Sequence, residues 1–287
     1  LYDVCCGGGN VRSGTFYPKI RAKTIHLSGL LNPAYFFGKN KIIFDFYFDI
    51  SIGIKINIFG MANFISFIVL MSLKYFAKLF YHFKISWPKE PIQWEEIRLI
   101  IFLNHTSLYE FLYLGFLPNA FLCNLSKRMV APAANKTMDR PLVGLFFKIF
   151  NPGMISITRK RDTSWENFKD NIKTDSIIII APEGRMKRTS GLDLEGNKMT
   201  VKSGVLDILA SLNKGDMVIA YSGGLHHVQV PGEGLPKLFK TLKMNLEYFN
   251  IKAYKNKFAS EIGSEQWRTS VLDDLQWRLE NKVPTFS

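Results

Sequence analysis

The chain has 287 residues, 47% of them hydrophobic and 21% charged, including 24 Phe and 11 Tyr; this is ample for a large buried core and excludes a disordered chain. A net charge of +13 favours an anionic partner: phospholipid headgroups, nucleic acid or an anionic co-substrate. Three cysteines, two of them adjacent at Cys5 and Cys6, form no CxxC or Cys/His ligand spacing, so zinc and dithiol chemistry fall away and a reducing, cytosol-facing location fits best.

In chain order, residues 1–60 come first, and the first methionine is Met61. The stretch carries Gly7–Gly9 and Ile/Phe/Lys/Asn-rich text, the composition that an AT-rich upstream region gives when translated past its start. It is expected to be an N-terminal extension that is not translated in the native protein, with Met61 as the physiological start. Within it, Ile42, Phe44, Phe46, Phe48, Ile50, Ile52, Ile54, Ile56 and Ile58 alternate with mostly polar residues, a strand pattern longer than strands usually run. Gly7–Gly9 is not a phosphate loop, because no Lys-Ser/Thr follows in the required context.

Residues 61–84 are expected to form a membrane-associating helix. The apolar run before Lys74 is short of the roughly 20 residues needed to cross a bilayer. Lys74, Lys78 and His82 recur every four residues, predicting a helix in the membrane interface with its basic groups toward anionic headgroups. A buried core helix is the alternative.

Residues 85–287 alternate strands and helices. Strands are expected at Ile97–Leu103, Phe121–Leu125, Met154–Thr158, Ser176–Ile180, Met217–Tyr221 and Leu246–Tyr254. Helices are expected at Ser107–Phe116, Pro141–Phe150, Thr163–Lys173 and Val201–Leu212. A closing helix carries Trp267, Val271, Leu275 and Leu279 at four-residue spacing. Four consecutive isoleucines at Ile177–Ile180 fit a strand buried on both faces. The fold class is α/β: a layered, mostly parallel central sheet flanked by helices, with an N-terminal membrane-interface helix.

Three strand ends carry chemistry. Asn104-His105-Thr106-Ser107-Leu108-Tyr109-Glu110 follows the first apolar strand. On a continuous helix, His105 and Glu110 would point about 140° apart. They meet if His105 lies in the loop and the helix starts near Ser107, a good N-cap residue. Glu110 then accepts the Nδ1 proton and frees Nε2 to act as a base. Taken alone, the segment fits an ordinary strand-to-helix turn equally well. Ala181-Pro182-Glu183-Gly184-Arg185 follows the isoleucine strand, where open α/β sheets place ligands, and Arg185, Lys187 and Arg188 offer donors to a phosphate. Thr158-Arg159-Lys160-Arg161 closes another strand with a basic cluster. His226-His227 has no third ligand and reads as a polar turn, and Lys237, Lys240 and Lys243 read as a solvated face.

Together these segments resemble the glycerolipid acyltransferase family, which includes bacterial 1-acylglycerol-3-phosphate acyltransferases. The family's first block, Asn-His-x-Ser-x-x-Asp, is matched by residues 104–110 with Glu110 in place of Asp. Its second block is followed by Lys127, Pro141 with Gly144, Gly153 and Arg159. Of its third block, Phe-Pro-Glu-Gly-Thr-Arg, Pro182, Glu183 and Gly184 match, while Arg185 directly follows the glycine and the Thr is missing. A later Lys-x-Gly is matched by Lys202 and Gly204, and Val218–Tyr221 corresponds loosely to the fourth block. The resemblance covers about residues 97–225.

It implies an O-acyltransferase in which His105 and Glu110 are catalytic and Asn104, Ser107, Lys127, Arg159, Glu183, Gly184 and Arg185 hold substrate. It implies no metal and no cofactor, with acyl-CoA or acyl carrier protein as co-substrate. The implied partners are a lysophospholipid and the membrane surface rather than nucleic acid, and the implied location is peripheral or monotopic on the cytoplasmic face. Lysophosphatidic acid is the leading acceptor. The alternatives are another lysolipid or an aminolipid acceptor, or a non-catalytic membrane-surface binding protein.

Overall fold

The computed structural model describes residues 47–50, 54–158, 160–231, 233 and 235–285, and the chain divides into two compact units, Leu1–Phe59 and Gly60–Ser287. In the first unit, β1 (Tyr47–Ile50) and β2 (Ile54–Asn57) pair antiparallel, with Tyr47 opposite Asn57 and Ile50 opposite Ile54. The alternation over residues 42–58 therefore does not form one continuous strand. The rest of that stretch before Ile54, and residues 1–41, lie outside the described residues.

The second unit is built on one sheet. Its strands are β3 (His82–Ser86), β4 (Ile97–Leu103), β5 (Met129–Ala134), β6 (Met154–Ile157), β7 (Ile177–Ile180), β8 (Asp216–Ser222) and β9 (Thr241–Asn250), in the order β3-β9-β8-β4-β7-β5-β6. All neighbours are parallel except β8 and β9. The helices are α1 (Ile58–Phe80), α2 (Asn119–Arg128), α3 (Asn135–Met138), α4 (Pro141–Phe150), α5 (Thr163–Asp170), α6 (Gly204–Ser211), α7 (Ile251–Asn256) and α8 (Glu265–Asn281), with a 3-10 helix at Leu108–Phe116. The expected α/β class with a mostly parallel central sheet is the one observed. Both faces of the sheet carry core: Leu99, Ile101, Ile178, Ile219 and Trp267 on one side, and Leu70, Ile97, Ile177, Val218 and Met244 on the other. The isoleucine run therefore needs no alternation, because β7 lies between β4 and β5 with apolar layers above and below.

The strand expected at Leu246–Tyr254 ends at Asn250, and Ile251–Tyr254 belong to helix α7; two further expectations are corrected. Phe121–Leu125 lies in helix α2 rather than in a strand. Phe121, Leu122 and Leu125 are buried at helical spacing, and the segment starts directly after Pro118. The strand of that region follows the helix as β5 and contains Pro132. Val130 still pairs with β7, but from Ala131 onward β5 pairs only with β6, so the missing amide of Pro132 costs no ladder bond to β7.

The second correction concerns the basic face of the first helix. Helix α1 ends at Phe80, and His82 is the first residue of β3, opposite Thr241. Lys74 is buried, donating to the Leu117 carbonyl at 2.6 Å and to Asn119 Oδ1 at 2.5 Å; burial lowers its pKa, and the nearby charge of Lys78 lowers it further. The helix buries Asn63, Ser66, Leu70, Lys74 and Ala77 and exposes Met61, Phe64, Ile65, Ile68, Tyr75 and Leu79. Three of the five buried residues are polar, and the large apolar ones face outward, the reverse of a helix in a water-surrounded domain.

Helix α8 is fastened to the sheet by charge as well as by Trp267, Val271 and Leu275. Arg278, buried, donates to Glu247 of β9 and, at 2.6 Å, to Asp274; Tyr221 of β8 also donates to Glu247, and Tyr254 to Asp274 at 2.7 Å. Removing one member leaves a buried charge without its partner. Arg278→Ala is expected to destabilise the fold by about 3–5 kcal/mol, read as a lower urea midpoint; an unchanged midpoint would show that the network is dispensable.

Candidate active site

Strands β4, β7 and β8 are parallel neighbours, so their C-terminal ends share one edge of the sheet, the edge where open α/β folds bind ligands. From β4 the chain enters the turn Asn104–Ser107. Asn104 takes φ +65°, a left-handed conformation that asparagine tolerates better than most residues. Its side chain is buried, donating to the Ser222 carbonyl at 2.8 Å and accepting from Lys187 Nζ at 3.3 Å.

Four successive amides of this turn go to two carboxylates. Asn104 and His105 donate to Glu183 Oε1 at 2.6 and 3.2 Å, and Thr106 and Ser107 donate to Glu110 Oε1 at 2.7 and 3.4 Å. The second pairing is half of a capping box: Ser107 is the N-cap of the 3-10 helix, and its hydroxyl accepts from Tyr109 N at 3.2 Å. The other oxygen of Glu110, Oε2, meets His105 Nδ1 in a short hydrogen bond. A carboxylate can only accept, so Nδ1 carries the proton and Nε2 holds a free lone pair. The geometry expected from the sequence, with His105 in the loop and the helix beginning beyond it, is the one that brings the two together. Glutamate suits this position because a capping box needs a side chain that reaches back over a full turn.

Burial works to lower the pKa of His105, but the Glu110 charge and hydrogen bond, with Glu183 close by, outweigh it and leave the pKa raised. Glu183 is buried, and its Oε2 is fully enclosed without a hydrogen-bond partner among the described residues. Burial pushes its carboxyl up to about 7, against the amides of His105 and Asn104, which pull it down. The turn is braced further by contacts with no local sequence signal. Leu225 N donates to Thr106 Oγ1 at 2.8 Å, Ser107 Oγ donates to Gln229 Oε1 at 3.1 Å, and Lys187 N donates to the His105 carbonyl at 2.8 Å. His226 and His227 contact the carbonyls of Lys187 and Thr241, which accounts for both as polar turn residues.

His105, Glu110, Glu183 and Gly184 line a cavity of about 680 Å³. Its interior is apolar, including Phe102, Leu114, Met129, Phe150, Val218 and Leu246. Of the remaining sequence-predicted site residues, Arg185 alone among those described reaches the cavity. Asn104 and Ser107 are buried in the turn and do not line the cavity; Lys127, exposed in the last turn of α2, does not line it either. Arg159 lies outside the described residues. Arg185 lines the cavity but donates to Asp193 Oδ2 and Glu195 Oε2, both at 2.5 Å, so its cation is already matched by two anions. Gly153 is required by close approach, since a Cβ there would sit 2.1 Å from the Met129 carbonyl.

Residues 86–222 match the family model described as Acyltransferase. The match runs from the last residue of β3 to the last residue of β8 and includes His105, Glu110, Glu183 and Lys202. Over this segment, just under half of the chain, the sequence is similar to the acyltransferase family. Among solved structures, the crystal structure of the 1-acyl-sn-glycerophosphate (LPA) acyltransferase, PlsC, from Thermotoga maritima is similar, with 19% identity and a TM-score of 0.48 over 79% of this chain and 89% of that one. No curated protein matches the chain.

The Glu183 carboxyl generates a prediction about stability. Its pKa in the folded chain lies above the ordinary glutamate value of 4.5, so its contribution is complete below pH 4.5 and is lost as pH rises through about 7. Glu183→Gln, which keeps an acceptor for the two amides, is expected to flatten the stability profile between those values. Chemical denaturation across that window checks it, and parallel profiles for the two proteins would count against it.

Proposed function

We propose that this chain moves a fatty acyl group from a thioester donor, acyl-CoA or acyl carrier protein, to the free hydroxyl of a lysophospholipid at the membrane surface, with lysophosphatidic acid to phosphatidic acid as the leading reaction. The observation that carries the reading is the His105–Glu110 pair on the wall of an apolar cavity. In this mechanism Nε2 takes the proton of the acceptor hydroxyl as its oxygen attacks the thioester carbonyl, and Glu110 stabilises the imidazolium. The tetrahedral intermediate collapses with cleavage of the C–S bond, and the imidazolium returns the proton to the departing thiolate. No acyl-enzyme forms, since an activated thioester needs mainly positioning and one base. The apolar interior suits an acyl chain, which gains burial along its length.

Membrane association is supported by the surface around α1. This helix is long and apolar enough to cross a membrane by length and composition, though part of it is buried against the domain. Its outward apolar face continues onto α4, where Leu142 and Leu145 are exposed, and onto the loop carrying Leu235 and Phe239. Ser66 Oγ donates to the Phe150 carbonyl at 2.7 Å, and Phe239 N donates to the Phe80 carbonyl at 2.8 Å, so the three pieces adjoin. A continuous apolar surface of this kind, with Lys78 and Lys148 beside it, fits the interface of an anionic bilayer. An acceptor other than lysophosphatidic acid is favoured by one observation, the internal pairing of Arg185.

His105→Ala is expected to lower acyl transfer by about 10²–10⁴-fold with folding and vesicle binding retained, measured with labelled acyl-CoA and a panel of lysolipids. Glu110→Asp is expected to weaken both the cap and the histidine contact, reducing kcat about 10-fold or more. A wild-type protein that binds vesicles but transfers no acyl group would instead make it a surface binder. For the membrane face, the double variant Leu142→Asp, Leu145→Asp is expected to reduce co-sedimentation with anionic vesicles about 10-fold or more while the unfolding midpoint holds. Undiminished binding would remove α4 from the interface.

A further inference from the structure

The charges around the cavity are distributed in a way that the motif comparison does not anticipate. Arg185 stands between Asp193 and Glu195, so that cluster holds one cation and two anions and carries an excess negative charge. Arg161, which also lines the cavity, donates to Asp207 at 2.6 Å, and Asp207 also accepts from Arg268 at 2.9 Å, so this second cluster holds two cations and one anion. Lys160 and Lys202 also line the cavity, both exposed at its solvent side, and among the described residues neither forms an ion pair with a carboxylate. The nearest polar partner of Lys202 Nζ is the Thr200 hydroxyl at 2.7 Å, which neutralises nothing.

We propose that the phosphate of the substrate docks on Lys160, Arg161 and Lys202, and that Arg185 is an internal tie of its own loop. Coulomb's law gives the sign: an incoming phosphate is repelled by the Arg185 cluster and attracted by the other, and low-dielectric cavity walls strengthen both effects. The position relative to the base is also fixed by contacts. Lys202 N donates to the Pro182 carbonyl at 2.8 Å, and the next residue, Glu183, holds the amide of His105 at 3.2 Å. The start of α6 and the histidine turn thus grip the same short segment from opposite sides.

The proposal rests on the acyltransferase reading for its substrate. The phosphate could belong to the lysolipid acceptor or to a CoA donor, and kinetics on the full chain separates the two. In the double variant Lys160→Gln, Lys202→Gln, the KM for lysophosphatidic acid is expected to rise about 10-fold or more while kcat changes little. The KM for an uncharged monoacylglycerol should hold, and Lys202→Arg should restore most of the loss. A rise confined to the KM for acyl-CoA supports the same phosphate subsite and assigns it to the donor. Unchanged KM values for both substrates would overturn the proposal. Quenching of tryptophan fluorescence by lysophosphatidic acid supplies a readout without turnover, since Trp94 and Trp165 line the cavity. If the wild-type chain binds this lipid, loses binding in the double variant, and transfers no acyl group, the acyltransferase reading fails while the subsite stands.

Discussion

The turn between β4 and the 3-10 helix is held by two carboxylates that divide four consecutive amides between them. Glu183 takes Asn104 and His105 from the side of β7, and Glu110 takes Thr106 and Ser107 from within the helix that follows. Amides aimed at a buried carboxylate are strong, directional bonds, and four in sequence leave the backbone little freedom. Everything else at the site follows from this arrangement. The histidine lines the cavity with its Nδ1 held by Glu110. The parallel order of β4 and β7 is what allows residues so distant in sequence to share one oxygen atom.

Much of this was legible in the sequence, because the relevant signals are local. Ser107 as an N-cap and Glu110 three residues later define a capping box, and that box decides where the helix starts and hence where His105 sits. The four isoleucines fix a central strand, and the chemistry lies just beyond its end. Contacts bridging long stretches were not legible. Gln229 reaches Ser107 from 122 positions away, and Leu225 reaches Thr106 from 119, with no pattern in either segment to announce it. Arg185 was legible as a cation near the site. Its partners were not, because Asp193 and Glu195 come back to it only through the fold of their loop. Phe121–Leu125 illustrates a different limit: a short apolar run has no period of its own, and burial against the sheet decided for a helix.

The sequence pattern of α1 carries a related lesson. Its lysine spacing suggested a charged face, and the spacing is present, but packing turned Lys74 inward and left Lys78 exposed. Lys74 finds two oxygens in the protein, and the residues left outside are large and apolar. Periodicity identifies the faces of a helix; it does not say which medium each face meets. When the buried side is the more polar one, the outer medium is the variable that must change.

The buried ammonium of Lys74 has a practical consequence for anyone wishing to shorten this chain at its first helix. Its two acceptors, Leu117 and Asn119, lie at the far end of the 3-10 helix that carries Glu110. Cutting the chain after Phe80 would remove Leu70 and Ala77 from the core and strip the Leu117 carbonyl and the Asn119 side chain of the Lys74 donor. The greasy segment is thus a keystone as well as a hull. Solubility is therefore better sought by replacing the exposed apolar residues of the helix one by one than by trimming it away.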